Sequence, residues 1–256
     1  MAFLFGVDSK APNYKITKHL RLIELFAGVG TQAMALRDIG ADFERYRVVE
    51  FDKDAVASYN AIHGTNFPVT DIRNIKSEDL GIVDKDKYEY LMFYSFPCTD
   101  LSLSGKRLGM SKGSGTRSGL LWEVERLLDE SADRAVKEGK DKSTYLPQIL
   151  IMENVTQVHN PKNINDWNAW LDKLKSLGYT SVYKDLNARD FNVPQNRLRC
   201  FMVSMLGDYN YDFPTPPGLT KGIEEILEPE VDRKFYVTEE RRKQLIEDLK
   251  SRGYLK

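Results

Sequence analysis

Cys98 stands in Phe96–Pro97–Cys98, directly after the apolar run Tyr90–Ser95, YLMFYS. A thiol at the end of such a strand faces the edge where open parallel sheets bind ligands. A helix N-terminus or nearby arginines there would raise its thiolate fraction and make it a nucleophile. The alternative for any lone cysteine is a buried inert thiol. That alternative fits Cys200, which is flanked by Leu198, Phe201 and Met202. Glu153 closes another apolar run, Gln148–Met152, where an acid is either a helix N-cap or a proton donor. Arg197 and Arg199 lead into a last apolar run and lie two residues apart, so in a strand both guanidiniums share a face. Such a pair suits a base carbonyl, a phosphate or a carboxylate, or else a surface salt bridge to Asp185 or Asp190.

The segment Leu25–Ala33, LFAGVGTQA, has Gly28, Gly30 and Ala33 in the spacing of a nucleotide-binding turn. Glycines there allow close approach of backbone to ligand, although the same spacing also serves an ordinary tight turn. Glu50 follows Gly28 by 22 residues at the end of a second strand, where a carboxylate binds ribose hydroxyls in nucleotide folds. Asp71 adds a third polar group at the same sheet edge. Together the three point to a nucleotide cofactor.

Short β-branched or aromatic runs alternate with helical patterns, which predicts an α/β fold with a mostly parallel sheet. Strands are expected over Arg21–Phe26, Arg47–Phe51, Phe67–Thr70, Tyr90–Ser95, Gln148–Met152, Ser181–Leu186 and Leu198–Met205. Helices are expected over Thr31–Asp38, Asp52–His63, Gly119–Lys137 and Asn165–Leu177. The stretch Thr99–Ser118 is rich in Ser, Gly, Lys and Arg and reads as a long mobile loop. The prolines of FPTPPGL exclude it from a central strand. An amphipathic helix is expected over Val237–Lys250, with Leu245, Ile246 and Leu249 on one face.

At 256 residues with 41% hydrophobic and 29% charged, the chain can bury a substantial core, which excludes a wholly disordered protein. No apolar run approaches the roughly 20 residues that span a bilayer. Two cysteines are too few for a disulfide scaffold, so a reducing, cytoplasmic setting is the default. With 37 basic and 38 acidic residues there is no uniform basic coat, leaving only local patches for nucleic acid.

Taken in order, these segments resemble the cytosine-C5 DNA methyltransferase family over residues ~20 to ~215. FAGVG is similar to its first motif, the Glu50 strand to its second and Thr70–Ile72 to its third. Phe96–Cys98 with Ser102 and Ser104–Lys106 is similar to the fourth, Glu153–Val155 to the sixth and Gln195–Arg199 to the eighth. The resemblance implies a Rossmann-like fold with a seven-stranded sheet, helices on both faces, and S-adenosyl-L-methionine as cofactor. It implies duplex DNA as substrate, with the target cytosine flipped out of the stack. Cys98 would attack C6, Glu153 would protonate or hydrogen-bond N3, and Arg199 would hold O2 with Arg197 beside it. Phe26, Ala27, Gly28, Val29 and Gly30 would form the cofactor turn, with Phe26 on the adenine. Glu50 and Phe51 would serve the ribose side, Asp71 and Ile72 would flank the adenine, and Pro97 would complete the site. Asn154 would fix the strand behind Cys98. The loop carrying Ser102, Ser104, Lys106 and Arg117 would close over DNA.

Two departures from the family pattern stand out. Thr99 replaces the usual glutamine after the catalytic cysteine. After residue 205, FPTPPGLTKGIEEILEPEVDRKFYVTEE resembles only the lead-in to the recognition region, and nothing resembles the closing C-terminal helix. The division expected is a catalytic and cofactor domain over 1–215 and an extension over 216–256. A second protein subunit is then expected to carry target recognition and the closing helix, with the Val237–Lys250 helix either its dock or a solvated surface helix. The rivals are the same chemistry on tRNA and a non-catalytic binding scaffold. Whether a restriction enzyme accompanies the chain is left open.

Overall fold

The structure, a computed structural model, describes residues 3–5, 11–98, 101 and 109–255. Its centre is a seven-stranded sheet of β1 (Phe3–Phe5), β2 (His19–Leu25), β3 (Phe43–Val49), β4 (Tyr88–Tyr94), β5 (Ile149–Asn154), β6 (Tyr179–Asn187) and β7 (Leu198–Leu206). Their order across the sheet is β1-β6-β7-β5-β4-β2-β3. The block β3, β2, β4 and β5 is parallel, whereas β7 runs against both its neighbours and β1 runs against β6. Five strands therefore share one direction, as expected for a mostly parallel sheet. Their carboxyl ends form one edge.

Helices cover both faces because the central strands bury both sets of alternating side chains. Ile23 and Leu25 of β2 pack with Met92, Tyr94, Leu150 and Met152 against α3 (Leu121–Lys137) and α4 (Ile164–Ser176). Leu20 and Leu22 point the other way, toward Ala33 of α1 (Thr31–Asp38). Above that face α2 (Lys53–His63) sets its fully buried Tyr59 against Val48 and Ala27. The buried stripe of α3 recurs every three or four residues, at Leu121, Val124, Leu128, Ala132 and Ala135. Each fully buried Leu or Val contributes roughly 1.5–3 kcal/mol.

The helix ends follow local chemistry. Asp52 Oδ1 accepts from the amides of Asp54 (2.8 Å) and Ala55 (3.2 Å), and Gly64 ends α2 at φ 63°. A side-chain cap and a left-handed glycine are the usual start and stop of a helix.

One expected strand is absent. Phe67–Thr70 is extended coil leading to a 3-10 turn, Ile72–Asn74. Pro68 has no amide to donate. The side chain of Asn60 accepts from Phe67 N and donates to Phe67 O, both at 2.9 Å, taking the place of a ladder. The seventh strand is β1, whose residues Phe3, Leu4 and Phe5 pair with Tyr183, Val182 and Ser181 of β6.

After β7 the chain crosses the α1 face, where Tyr209, Tyr211 and Phe213 pack. It is then tied at its next stretch by Gly218 N donating to Asp190 O, and by Thr220 N and Lys221 N donating to Asn192 Oδ1. FPTPPGL contains no strand, as its prolines require. The last helix, α5 (Glu239–Ser251), begins two residues later than expected because Thr238 caps it, accepting from Arg241 N at 3.3 Å. From 219 to 255 all residues but Ile246 are exposed.

Candidate active site

The turn after β2 is built from three successive left-handed positions, Phe26 (φ 59°), Gly28 (φ 55°) and Gly30 (φ 78°). Glycine takes that region freely, whereas an aromatic residue does so only when its surroundings hold it there. Phe26 is held by donating its amide to Val49 O at 2.8 Å. At Gly30 a Cβ would stand 2.4 Å from His63 Nε2 and 2.5 Å from Tyr59 Cε2, so α2 closes on the turn only because that side chain is missing.

Glu50 fastens the turn to the end of β3. Its Oε2 accepts from Gly28 N and its Oε1 from Asp52 N, both at 2.9 Å. The carboxylate is buried yet borders a cleft of about 700 Å³. Phe26, Glu50, Phe51, Asp71, Ile72 and Pro97 line that cleft, all of them expected cofactor residues. Ala27 does not, because it is buried on the far side with Val48 and Tyr59. Gly28, Val29 and Gly30 shape the turn without lining the cleft. Asp71 caps the 3-10 turn, and its ion pair with Arg73 (2.5 Å) holds its carboxyl below the ordinary carboxylate range.

The opposite wall was not anticipated. It comprises residues 113–117, Gly119, Leu120, Trp122 and Glu123, with Arg117 among them. Ser118 donates to Pro97 O at 2.8 Å, tying this wall to the Cys98 segment. Trp122 donates from Nε1 to Met110 O at 2.7 Å. The available signal was that Trp122, an aromatic, lies off the buried phase of α3. The cleft's aromatic walls, anchored carboxylate and volume fit a nucleoside-bearing cofactor.

Beside the cleft, the ends of β4, β5 and β7 converge. Tyr94 of β4 pairs with Met152 of β5, and Glu153 and Asn154 pair with Phe201 and Cys200 of β7. Glu153 Oε1 meets Arg199 Nε at 3.1 Å and Arg197 Nη2 at 3.7 Å. Of the readings open for these residues, neither the helix cap nor the salt bridges to Asp185 or Asp190 is observed. Instead the acid and the two guanidiniums form one group. Burial raises the Glu153 carboxyl above its ordinary range, outweighing the pull of Arg199 and Arg197 in the other direction. A raised carboxyl lies closer to the operating pH, where a general acid works best.

Asn154 links this group to the thiol segment. Its Nδ2 donates to Phe96 O at 2.9 Å and its Oδ1 accepts from Val155 N at 2.8 Å, and the side chain is buried. Cys98 follows at the partly open edge, with its carbonyl accepting from Leu101 N at 3.0 Å. Cys200, by contrast, is fully buried, and burial pushes its thiol far above the ordinary value. Ser102, Ser104 and Lys106, expected at the DNA-closing loop, lie outside the described residues, as does Thr99.

Comparison with known proteins agrees with this geometry. The family model described as C-5 cytosine-specific DNA methylase matches residues 20–254. The orphan methyltransferase M.SssI of Spiroplasma monobiae is 32% identical over 270 residues, covering 85% of this chain and 67% of that protein. The type II methyltransferase M.Bsp6I of a Bacillus species is 34% identical over 229 residues, covering 87% of this chain and 65% of its own. The chain thus spans about two thirds of the length of these relatives. In fold it is similar to the S. pombe Dnmt2 methyltransferase, with a TM-score of 0.63 at 20% identity over 90% of this chain and 66% of that one. The glycine turn, the carboxylate-bordered cleft and the thiol, acid and arginines at one sheet edge thus accompany a match along most of the chain: it belongs to the C-5 cytosine-specific DNA methylase family, enzymes that use S-adenosyl-L-methionine to methylate cytosine in DNA.

Proposed function

We propose that this chain methylates C5 of a cytosine flipped out of duplex DNA, with Cys98 as nucleophile. The observation that carries the reading is the convergence of Arg199 and Arg197 on one oxygen of Glu153, at the edge to which Asn154 ties the Cys98 segment. Phe26, Glu50, Phe51, Asp71, Ile72 and Pro97 would hold the cofactor, with the turn at Gly28 and Gly30 supplying close approach. When bound, S-adenosyl-L-methionine supplies an electrophilic methyl group for C5.

The protein residues do the rest. Cys98 Sγ bonds to C6 of the cytosine, and the displaced electron pair enriches C5. Glu153 gives its proton to N3 as that charge develops. Arg199 donates to the base O2, and Arg197 supports the same Glu153 oxygen. Once C5 carries the methyl group, water takes the C5 proton, the electron pair restores the C5–C6 double bond and expels the Cys98 thiolate, and the N3 proton returns to Glu153. Arg117, at the cleft wall, and the loop before it (Ser102, Ser104, Lys106) are assigned to closing the site over DNA.

We read 1–215 as the catalytic and cofactor unit and 216–256 as an extension tied through Asn192. A cytoplasmic location and a restriction-modification or orphan setting fit DNA as the substrate. The expected second subunit finds no support in the family match or the relatives, and the chemistry above does not require it.

Incubating the chain with S-adenosyl-L-methionine and duplex DNA containing 5-fluorocytosine tests the reading, because fluorine at C5 blocks the final elimination. A Cys98–DNA adduct, lost in Cys98→Ser, is the expected result. Transfer of labelled methyl to tRNA but not to duplex DNA would overturn the assignment of substrate.

A further inference from the structure

A second group of chemistry-bearing side chains stands just behind the acid–arginine cluster. His159 ends the 3-10 turn Thr156–His159 that follows β5, Asp185 lies on β6, and Cys200 is paired with Asp185 from β7. His159 Nε2 is 3.0 Å from Asp185 Oδ1. A ring nitrogen, a carboxylate oxygen and a sulfur, one from each residue, all fall within 4.8 Å of one another. We propose that His159, Asp185 and Cys200 form a binding site for a divalent cation of the zinc class, with a fourth position open to water.

The donor set points to that class. A nitrogen, an oxygen and a sulfur together suit a borderline-soft tetrahedral ion better than calcium or magnesium, which take oxygen ligands. Zinc bonds of about 2.0–2.3 Å place neighbouring ligand atoms roughly 3.5 Å apart in a tetrahedron. The histidine and aspartate, 3.0 Å apart in their hydrogen bond, would open by about 0.5 Å, and the most distant pair would close by about 1 Å.

The scaffold holds the ligands in register. Asp185 and Cys200 are opposed residues of the β6–β7 ladder, and that ladder continues through β7 to β5. The His159 ring packs against the rings of Trp167 (5.9 Å) and Tyr183 (5.6 Å), which also touch each other. A metal-ligating histidine is commonly held in one orientation by its surroundings, and Nε2, now hydrogen-bonded to Asp185, would exchange that bond for the ion. Cys200 is fully buried, His159 is half-buried and Asp185 reaches solvent, which leaves an entry path from the aspartate side. On binding, the Cys200 proton leaves to solvent and a metal–sulfur bond replaces S–H. The ion would then join the turn after β5 to β6 and β7, directly beneath Arg199.

The chain has only two cysteines, so Cys98→Ser leaves Cys200 as its one thiol. The chain, stripped with chelator, is titrated with Co²⁺ in the native and Cys98→Ser forms. One equivalent should produce thiolate-to-cobalt charge transfer and tetrahedral d–d absorption in both, reversed by one equivalent of Zn²⁺. His159→Gln and the more exposed Asp185→Asn should each weaken cobalt binding at least ~10-fold, the loss seen even when outer partners of metal ligands are removed. Cys200→Ser should abolish the charge-transfer band, with circular dichroism confirming the fold of each variant. Absence of that band in Cys98→Ser at excess Co²⁺ would overturn the proposal. So would undiminished affinity in both His159→Gln and Asp185→Asn.

Discussion

Replacing Glu153 by glutamine keeps the shape of the side chain but removes its charge and its transferable proton. Its Oε1 now serves Arg199 at 3.1 Å and Arg197 at 3.7 Å. At an effective dielectric near 20 the Arg199 contact is worth about 5 kcal/mol before desolvation, and the half-exposed Arg197 contact, screened by solvent, far less. Desolvation nevertheless wins, since the carboxyl is raised from its ordinary 4.5 rather than lowered. The net cost to stability is therefore small. Glutamine still offers an oxygen to Arg199, and trading a charged for a neutral hydrogen bond costs about 1–2 kcal/mol. The cost to catalysis is larger, because a missing general acid slows reaction by about 10²–10⁴-fold, or ~3–5 kcal/mol of barrier. Glu153 does not line the cleft, so cofactor affinity should stay the same. Initial rates of labelled methyl transfer, with cofactor binding by calorimetry, separate the two effects. In the parent enzyme the protonated fraction of Glu153 falls as pH rises through its raised folded value, and the limb of the rate profile this produces should vanish in the glutamine variant. A rate within threefold of the parent, or an unchanged pH limb, would refute the assignment of Glu153 as proton donor.

Three further outcomes follow from the geometry. Asn154→Ala leaves Phe96 O and Val155 N without side-chain partners in a buried place, costing about 1–3 kcal/mol for each group in urea unfolding. It should also slow Cys98 adduct formation by about 10²-fold, as loss of orientation does, and an adduct rate equal to the parent's would contradict the positioning role. Gly30→Ala puts a Cβ against the buried Tyr59 at φ 78°, costing about 1–2 kcal/mol for the backbone and 1–3 kcal/mol for overpacking. Its denaturation midpoint should fall and its cofactor affinity weaken together, and an unshifted midpoint would count against the close approach. Burial holds the Glu24 carboxyl up at about 7, with Tyr59 OH donating to it at 2.5 Å. Because the folded value is the higher one, this contribution is complete below about 4.5 and is lost as pH rises through 7. Glu24→Gln should thus gain about 2–3 kcal/mol on the parent between pH 5 and pH 8 in urea titrations, and an equal gap at both pH values would disprove the buried carboxyl's role.

Local signals sufficed for much of the architecture. The helix over Thr31–Asp38 is legible with its bounds, and α2 within a residue, because caps such as Asp52 and the apolar period act within a few positions along the chain. The central strands were legible for a related reason: strands buried on both faces are continuous apolar runs. The same local chemistry brought Cys98, Glu153, Glu50 and the paired arginines to attention, since each follows or precedes such a run. Phe67–Thr70 shows where this ends. Its composition favours a strand, yet Asn60 and Pro68 determine its backbone partners.

What the amino-acid order determined by itself was the alternation of elements and the chemical types standing at their ends. Only the tertiary structure decided which of those types meet. The antiparallel register of β7 between β5 and β6 gave Arg197 and Arg199 to Glu153 rather than to Asp185 or Asp190. It also set Cys200 opposite Asp185, next to His159. The far wall of the cleft, and the left-handed backbone of Phe26, likewise arise from contacts between segments distant in sequence. The physical reason is that propensity and capping act over a few residues, whereas strand register and close packing are settled only when the whole sheet buries both faces at once.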